Sequence, residues 1–84
     1  MKYELAYPRR AERDIKKLDE SIKKKLAKIL LRYQDDPLRY AEKLINPALG
    51  TYRFRIGEYR VIFDMEENRI IVLRIGHSRE IYKR

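Results

Sequence analysis

Two alternating apolar runs on either side of Gly57-Glu58 constrain the fold of this chain more than any other feature. Residues 52–63 read YRFRIGEYRVIF, and glycine at the first central position suits a two-residue type II′ turn because it tolerates positive φ. The alternation predicts an antiparallel β-hairpin in which Arg55 lies opposite Arg60 and the apolar side chains share one face. The opposite face would carry three arginines, Arg53, Arg55 and Arg60.

These arginines would repel one another, because like charges directly opposite each other destabilise a β-ladder. An anion bound on the face would remove that cost. Guanidinium groups bind phosphate bidentately and keep their charge at neutral pH, so a phosphodiester is the expected ligand. The alternative is a solvated face whose charge is offset by a nearby acid, with Asp64 or Glu66 as the candidates.

One strand and two helices are predicted before the hairpin. Residues 2–7 alternate like a short strand that Pro8 ends, and apolar residues then recur at helical spacing over about ten residues. Asp19 is the predicted N-cap of a second helix, whose apolar stripe runs to Tyr33 before the sequence QDDP stops it. The opposite face of this helix either tracks a polyanion or simply faces solvent, and it carries Lys23, Lys24 and Lys28.

The remaining segments complete an α+β domain. Residues 38–44 predict at most one further helical turn, followed by a loop into the hairpin, and residues 69–76 predict a strand covered on both faces. The expected fold is one domain over residues 1–84 with a two-layer, antiparallel-dominated sheet in the order β-α-α-β-β-β. The two N-terminal helices would cover one face of the sheet and leave open the other face, which carries the three arginines of the hairpin.

The charge balance points to an acidic partner. Lys and Arg number 21 against 13 Asp and Glu, a formal net charge of +8 that favours nucleic acid, an acidic protein or an anionic membrane surface. No apolar run approaches the roughly 20 residues that span a bilayer, and the N-terminus lacks a signal-peptide core, so we expect a cytoplasmic protein without a membrane partner. With no cysteine and one histidine, neither a metal nor a cofactor is expected.

The available side chains suit metal-free RNA cleavage better than other enzyme chemistry. The sequence has no glycine-rich phosphate loop, no His-Glu-x-x-His and no Gly-x-Ser-x-Gly. If the ribose 2′-OH attacks its own phosphate, the arginines would stabilise the phosphorane, and Tyr82 or His77 would orient or deprotonate the hydroxyl. Tyr52 or Tyr59 would stack on a base only if it faced outward, whereas the alternation turns both inward.

The pattern YRFRxGxYRVIF at 52–63, followed by VLRIGH at 72–77 and REIY at 79–82, resembles the RelE/ParE superfamily of toxin–antitoxin toxins. The resemblance covers essentially the whole chain. It implies a ribosome-dependent mRNA endoribonuclease that enters the A site, cuts the codon there, and is neutralised by a RelB-like antitoxin.

The resemblance also implies roles for individual residues. Arg53 and Arg55 match the basic pair of the second strand, Arg60 matches the arginine of the third strand, Arg79 matches the late arginine, and Tyr82 matches the catalytic tyrosine. Many relatives carry lysine in the basic pair, and arginine there can act only electrostatically because it does not exchange protons. Many also have arginine directly after Gly-His, where this chain has Ser78.

Two other functions fit the same resemblance. One is a ParE-like toxin that poisons DNA gyrase and cleaves no RNA itself. The other is a catalytically weak toxin that binds nucleic acid as a co-repressor with its antitoxin, for which we expect binding that falls steeply with salt.

Overall fold

The computed structural model of the 84-residue chain describes residues 2–46 and 48–81. Nine elements follow one another in this part of the chain: β1 Glu4–Ala6, α1 Arg9–Lys16, α2 Glu20–Tyr33, α3 Pro37–Tyr40, β2 Ala41–Lys43, β3 Tyr52–Ile56, β4 Tyr59–Glu66, β5 Arg69–His77 and α4 Ser78–Ile81. The α+β class and the order of the long elements are as predicted. The first strand is shorter than the alternation of residues 2–7 suggested.

The strands form one mixed sheet in the order β1-β5-β4-β3-β2. β1 is parallel to β5, and the other three pairings are antiparallel. The hairpin has the predicted register, with Arg55 opposite Arg60 and Ile56 opposite Tyr59. Gly57 has the positive φ that its place in the turn requires, at 59°.

The core lies between the sheet and the first two helices. α1 contributes Ala11 and α2 contributes Leu26 and Leu30 to the same cluster as the inward side chains of β3, β4 and β5. Phe54 and Phe63 are fully buried at its centre, with their rings stacked at a centroid distance of 4.3 Å. The two-residue period of the strands and the apolar stripe of α2 therefore meet as predicted.

The segment between α2 and the hairpin differs from the prediction. The expected helical turn is present as α3 but ends at Tyr40, and the next three residues, Ala41–Lys43, which were predicted to belong to that turn, form strand β2 at the edge of the sheet. β2 is held by pairing with β3, and the amide of Leu44 donates to the carbonyl of Thr51 at 2.9 Å. A strand of three residues has too little alternation to be recognised, because its conformation is imposed by its partner.

The second face of the hairpin is not wholly open. Ile62 lies on that face and is completely buried, packed under the loop that precedes β3. The loop can pack this closely on Ile62 because residue 50 is glycine: a Cβ on Gly50 would lie 2.6 Å from Cγ2 of Ile62 and 3.0 Å from Cδ1 of Leu73. The loop thus covers the middle of the second face, and the arginines beside the hairpin turn stay accessible.

Candidate functional site

The hairpin brings the three predicted arginines together on one surface. Arg53 and Arg55 lie two residues apart on β3, and Arg55 is the cross-strand partner of Arg60 on β4. The side chain of Arg55 is 57% exposed and that of Arg53 is 25% exposed. We call these three residues the arginine face; the side chains of Arg53 and Arg55 are close enough to approach one carboxylate oxygen.

A carboxylate that sequence reasoning missed contacts the arginine face. Glu42 on β2 lies directly opposite Arg53, whose Nε donates to Oε1 of Glu42 at 2.9 Å. The same oxygen lies 3.9 Å from Nε of Arg55. The hydrogen bond from Arg53, with the positive charges of Arg55, Arg53 and Arg60, holds the pKa of Glu42 below its ordinary value.

The acids suggested by the sequence do not fill this position. Asp64 accepts a hydrogen bond from the backbone amide of Thr51 at 2.8 Å, and Glu66 lies exposed at the far end of β4, opposite Arg69. Recognising β2 would have identified Glu42, because the register of an edge strand against β3 places it beside Arg53.

Arg60 is anchored by the hairpin turn. One of its guanidinium nitrogens, Nη1, donates to the backbone carbonyls of Gly57 and Tyr59, both at 2.8 Å. Within residues 2–46 and 48–81, no carboxylate lies within ion-pair distance of Arg60. In particular, neither Asp64 nor Glu80 forms an ion pair with Arg60.

His77 joins the end of β5 to the short helix α4. Its Nδ1 accepts a hydrogen bond from the backbone amide of Arg79 at 3.1 Å. Its Nε2 lies 3.7 Å from the Glu58 carboxylate, and its ring meets that of Tyr59 edge-on. These contacts are those of a hydrogen-bonding residue at the end of a strand.

The other predicted late residues fall in or after α4. Arg79 is exposed on this helix, which starts beside the hairpin turn because the amide of Ser78 donates to the carbonyl of Glu58 at 2.8 Å. Tyr82, the predicted catalytic tyrosine, lies outside the described residues.

Arg74 belongs to the structural framework of the domain. Its Nε donates to Asp14 on α1 at 2.7 Å, and the same Asp14 oxygen accepts the backbone N–H of Ile75 at 3.0 Å. β1 pairs with β5 only over 69–71, so Asp14 completes the hydrogen bonding of the strand edge where β1 has ended. An acid at a core-facing position of α1 was the sequence signal for this role.

The predicted lysines are not part of the arginine face. Lys23 pairs with Glu20 at 3.3 Å, and Lys24 and Lys28 are exposed on α2, in the helical layer on the other side of the sheet. Tyr52 and Tyr59 are half-buried and pack against the core, on the face that the alternation predicted.

The described residues include neither a metal-binding cluster nor a membrane-spanning helix. No group of three or more His, Asp or Glu side chains there could hold a metal ion. None of the helices described is long and apolar enough to cross a bilayer.

Comparisons with known proteins agree with this architecture. Residues 5–82 match the family described as ParE toxin of type II toxin–antitoxin system, parDE. Toxin RelG of Mycobacterium tuberculosis is 32% identical over 90 residues, covering 100% of both chains. A structure of the toxin–antitoxin complex RelBE2 from the same species aligns with a TM-score of 0.83 and 25% identity, over 92% of this chain and 99% of that one.

Two further structures share the fold. A mutant of E. coli toxin RelE in the free state aligns with a TM-score of 0.76 and 24% identity, over 98% of this chain and 92% of that one. The RelB–RelE complex of Methanococcus jannaschii aligns with a TM-score of 0.72 and 23% identity, over 93% and 95%. The chain therefore belongs to the RelE/ParE superfamily of toxins of type II toxin–antitoxin systems.

Proposed function

We propose that this toxin is a ribosome-dependent mRNA endoribonuclease that cuts codons in the A site by attack of a ribose 2′-OH on the adjacent phosphodiester. The observation that carries the proposal is the arginine face, where Arg55 and Arg60 lie opposite each other with Arg53 beside them. Negative charge accumulates on the phosphate oxygens as the 2′-oxygen attacks, and guanidinium groups on adjacent strands of the sheet are placed to stabilise that charge.

The arginine face cannot carry the proton transfers of this reaction. Arginine keeps its protons at every accessible pH, so these residues act by charge and orientation. In the proposal, Tyr82 orients the 2′-OH and Arg79 contributes a further charge from α4. His77 has its Nδ1 engaged by the amide of Arg79, which leaves only Nε2 for contact with RNA.

The proposed partners are a RelB-like antitoxin, the ribosome and its A-site mRNA, all in the cytoplasm. The RelBE2 complex of M. tuberculosis and the RelB–RelE complex of M. jannaschii are toxin–antitoxin assemblies, and this chain shares their fold. A formal charge of +8 suits a protein that approaches both an acidic antitoxin and ribosomal RNA.

Arg60→Ala tests the proposal in cells. After a brief induction, the wild type is expected to produce new mRNA 5′ ends in register with codons, and Arg60→Ala is expected to lose most of them and to relieve growth arrest. Lys24→Ala is the matched control, because it also removes one exposed cation but from the helical layer. Codon-register cuts at equal frequency in wild type and Arg60→Ala would contradict the assignment.

A second candidate is a gyrase-poisoning toxin, which the match to the ParE family model favours. Glu42 also offsets part of the charge of the arginine face, so an RNA phosphate is not needed to relieve the repulsion between these arginines. Inhibition of DNA supercoiling by purified gyrase, with no new mRNA 5′ ends, would select this function over the first.

A further inference from the structure

We propose that Glu42 is a built-in counter-ion of the arginine face, occupying the place of an RNA phosphate until the substrate displaces it. This inference rests on the proposed function, because it concerns how RNA reaches Arg53 and Arg55. It assigns a role to a residue that the sequence did not single out.

The contacts of Glu42 resemble those expected of a bound phosphate oxygen. A single carboxylate oxygen, Oε1, accepts a hydrogen bond from Nε of Arg53 at 2.9 Å and lies 3.9 Å from Nε of Arg55. A non-bridging phosphate oxygen would bind the same groups, since the N–H donors of guanidinium groups bind both carboxylate and phosphate. Glu42 and an RNA phosphate therefore compete for these two arginines.

The position of Glu42 allows it to leave. Its side chain is 46% exposed, and it stands on β2, a strand of only three residues at the edge of the sheet. Exposed ion pairs of this kind contribute little to stability, because both ions are well solvated when apart. Displacement by a phosphate costs little, while Glu42 relieves the repulsion between neighbouring arginines in the absence of RNA.

The competition has a consequence for selectivity. Every RNA or other polyanion must displace Glu42 before it contacts both arginines of β3. A ligand that makes few other contacts does not offset that cost, whereas a ligand that engages the whole arginine face does. Glu42 thus lowers the affinity of the toxin for polyanions in general and favours those whose phosphate fits between the arginines.

Binding of a short fluorescent 2′-O-methyl oligoribonucleotide tests this role, since the blocked 2′-oxygen prevents cleavage. Glu42→Gln keeps the size of the side chain and removes its charge, and it is expected to bind about threefold to tenfold more tightly than wild type. Its affinity should also fall more steeply with salt. Glu12→Gln is the control, because it changes net charge equally from an exposed position on α1.

A second pair of variants localises the effect. In an Arg53→Ala background, Glu42→Gln should raise affinity clearly less than it does in the wild-type background, because the 2.9 Å contact with Arg53 is already gone and only the 3.9 Å contact with Arg55 remains. Equal effects of Glu42→Gln and Glu12→Gln, or weaker binding by Glu42→Gln, would overturn the counter-ion role while leaving the proposed nuclease intact. Failure of the wild type and Glu42→Gln alike to bind RNA, free or on ribosomes, would contradict the proposed function as well.

Discussion

Removal of the Asp14 carboxylate should destabilise the fold by about 2–4 kcal/mol. Asp14 is 8% exposed, accepts the Ile75 amide at 3.0 Å and pairs with Arg74 at 2.7 Å. In Asp14→Ala the buried amide loses its partner, at a cost of about 1–3 kcal/mol. The Arg74 side chain is 24% exposed, so loss of the ion pair adds only about 1 kcal/mol.

Urea denaturation and calorimetry measure this loss. For a domain of this size, about 4–8 °C of melting temperature accompanies each kcal/mol, so a loss of about 2–4 kcal/mol should lower the melting temperature of Asp14→Ala by roughly 8–32 °C relative to wild type. Asp14→Asn retains an acceptor oxygen for the amide and should lose less. Asp35→Ala, an exposed substitution of the same type, should stay within about 0.5 kcal/mol of wild type, and a similar value for Asp14→Ala would refute the reasoning.

Three further predictions concern the loop, the counter-ion and the tyrosine. Gly50→Ala should destabilise by about 1–3 kcal/mol in urea titrations, because its Cβ would lie 2.6 Å from Ile62, and it should cost more than Gly57→Ala, whose Cβ meets nothing within 4 Å. Because the pKa of Glu42 is lowered, its contribution to stability is present above its ordinary pKa of 4.5 and is lost as the pH falls through the folded-state pKa. Any difference in stability between wild type and Glu42→Gln should therefore disappear in acid. A difference that grew on acidification would contradict the ion pair. Tyr82→Phe should lower the rate of cleavage on ribosomes without weakening binding of the 2′-O-methyl oligonucleotide, and full activity would remove Tyr82 from the proposed mechanism.

Local patterns predicted the parts of the fold that depend on neighbouring residues. The hairpin register follows from the two-residue period and one glycine, and Arg55 faces Arg60 as a direct consequence. The stripe of α2 likewise places Leu26 and Leu30 in the core. Each of these features is encoded within about a dozen residues, so the sequence could be interpreted without knowledge of the tertiary structure.

Contacts between distant segments were not predictable in the same way. The pairing of Glu42 with Arg53 depends on β2, which forms only because β3 is beside it. The burial of Ile62 depends on the return of the loop at Gly50, and the only local sign of it in β4 is that Ile62, between Val61 and Phe63, breaks the alternation. In both cases tertiary contact decides the environment of a residue whose local sequence suggested an open, purely cationic face.

The central claim is that the arginine face stabilises the scissile phosphate of a codon, and single-turnover cleavage of mRNA on purified translating ribosomes tests it most directly. Wild type should cut within the A-site codon, and Arg60→Ala should cut about 10²–10³-fold more slowly, as expected for loss of one preorganised charge, while its melting temperature stays close to that of wild type. Absence of cleavage by wild type, or an unchanged rate in a folded Arg60→Ala variant, would contradict the account.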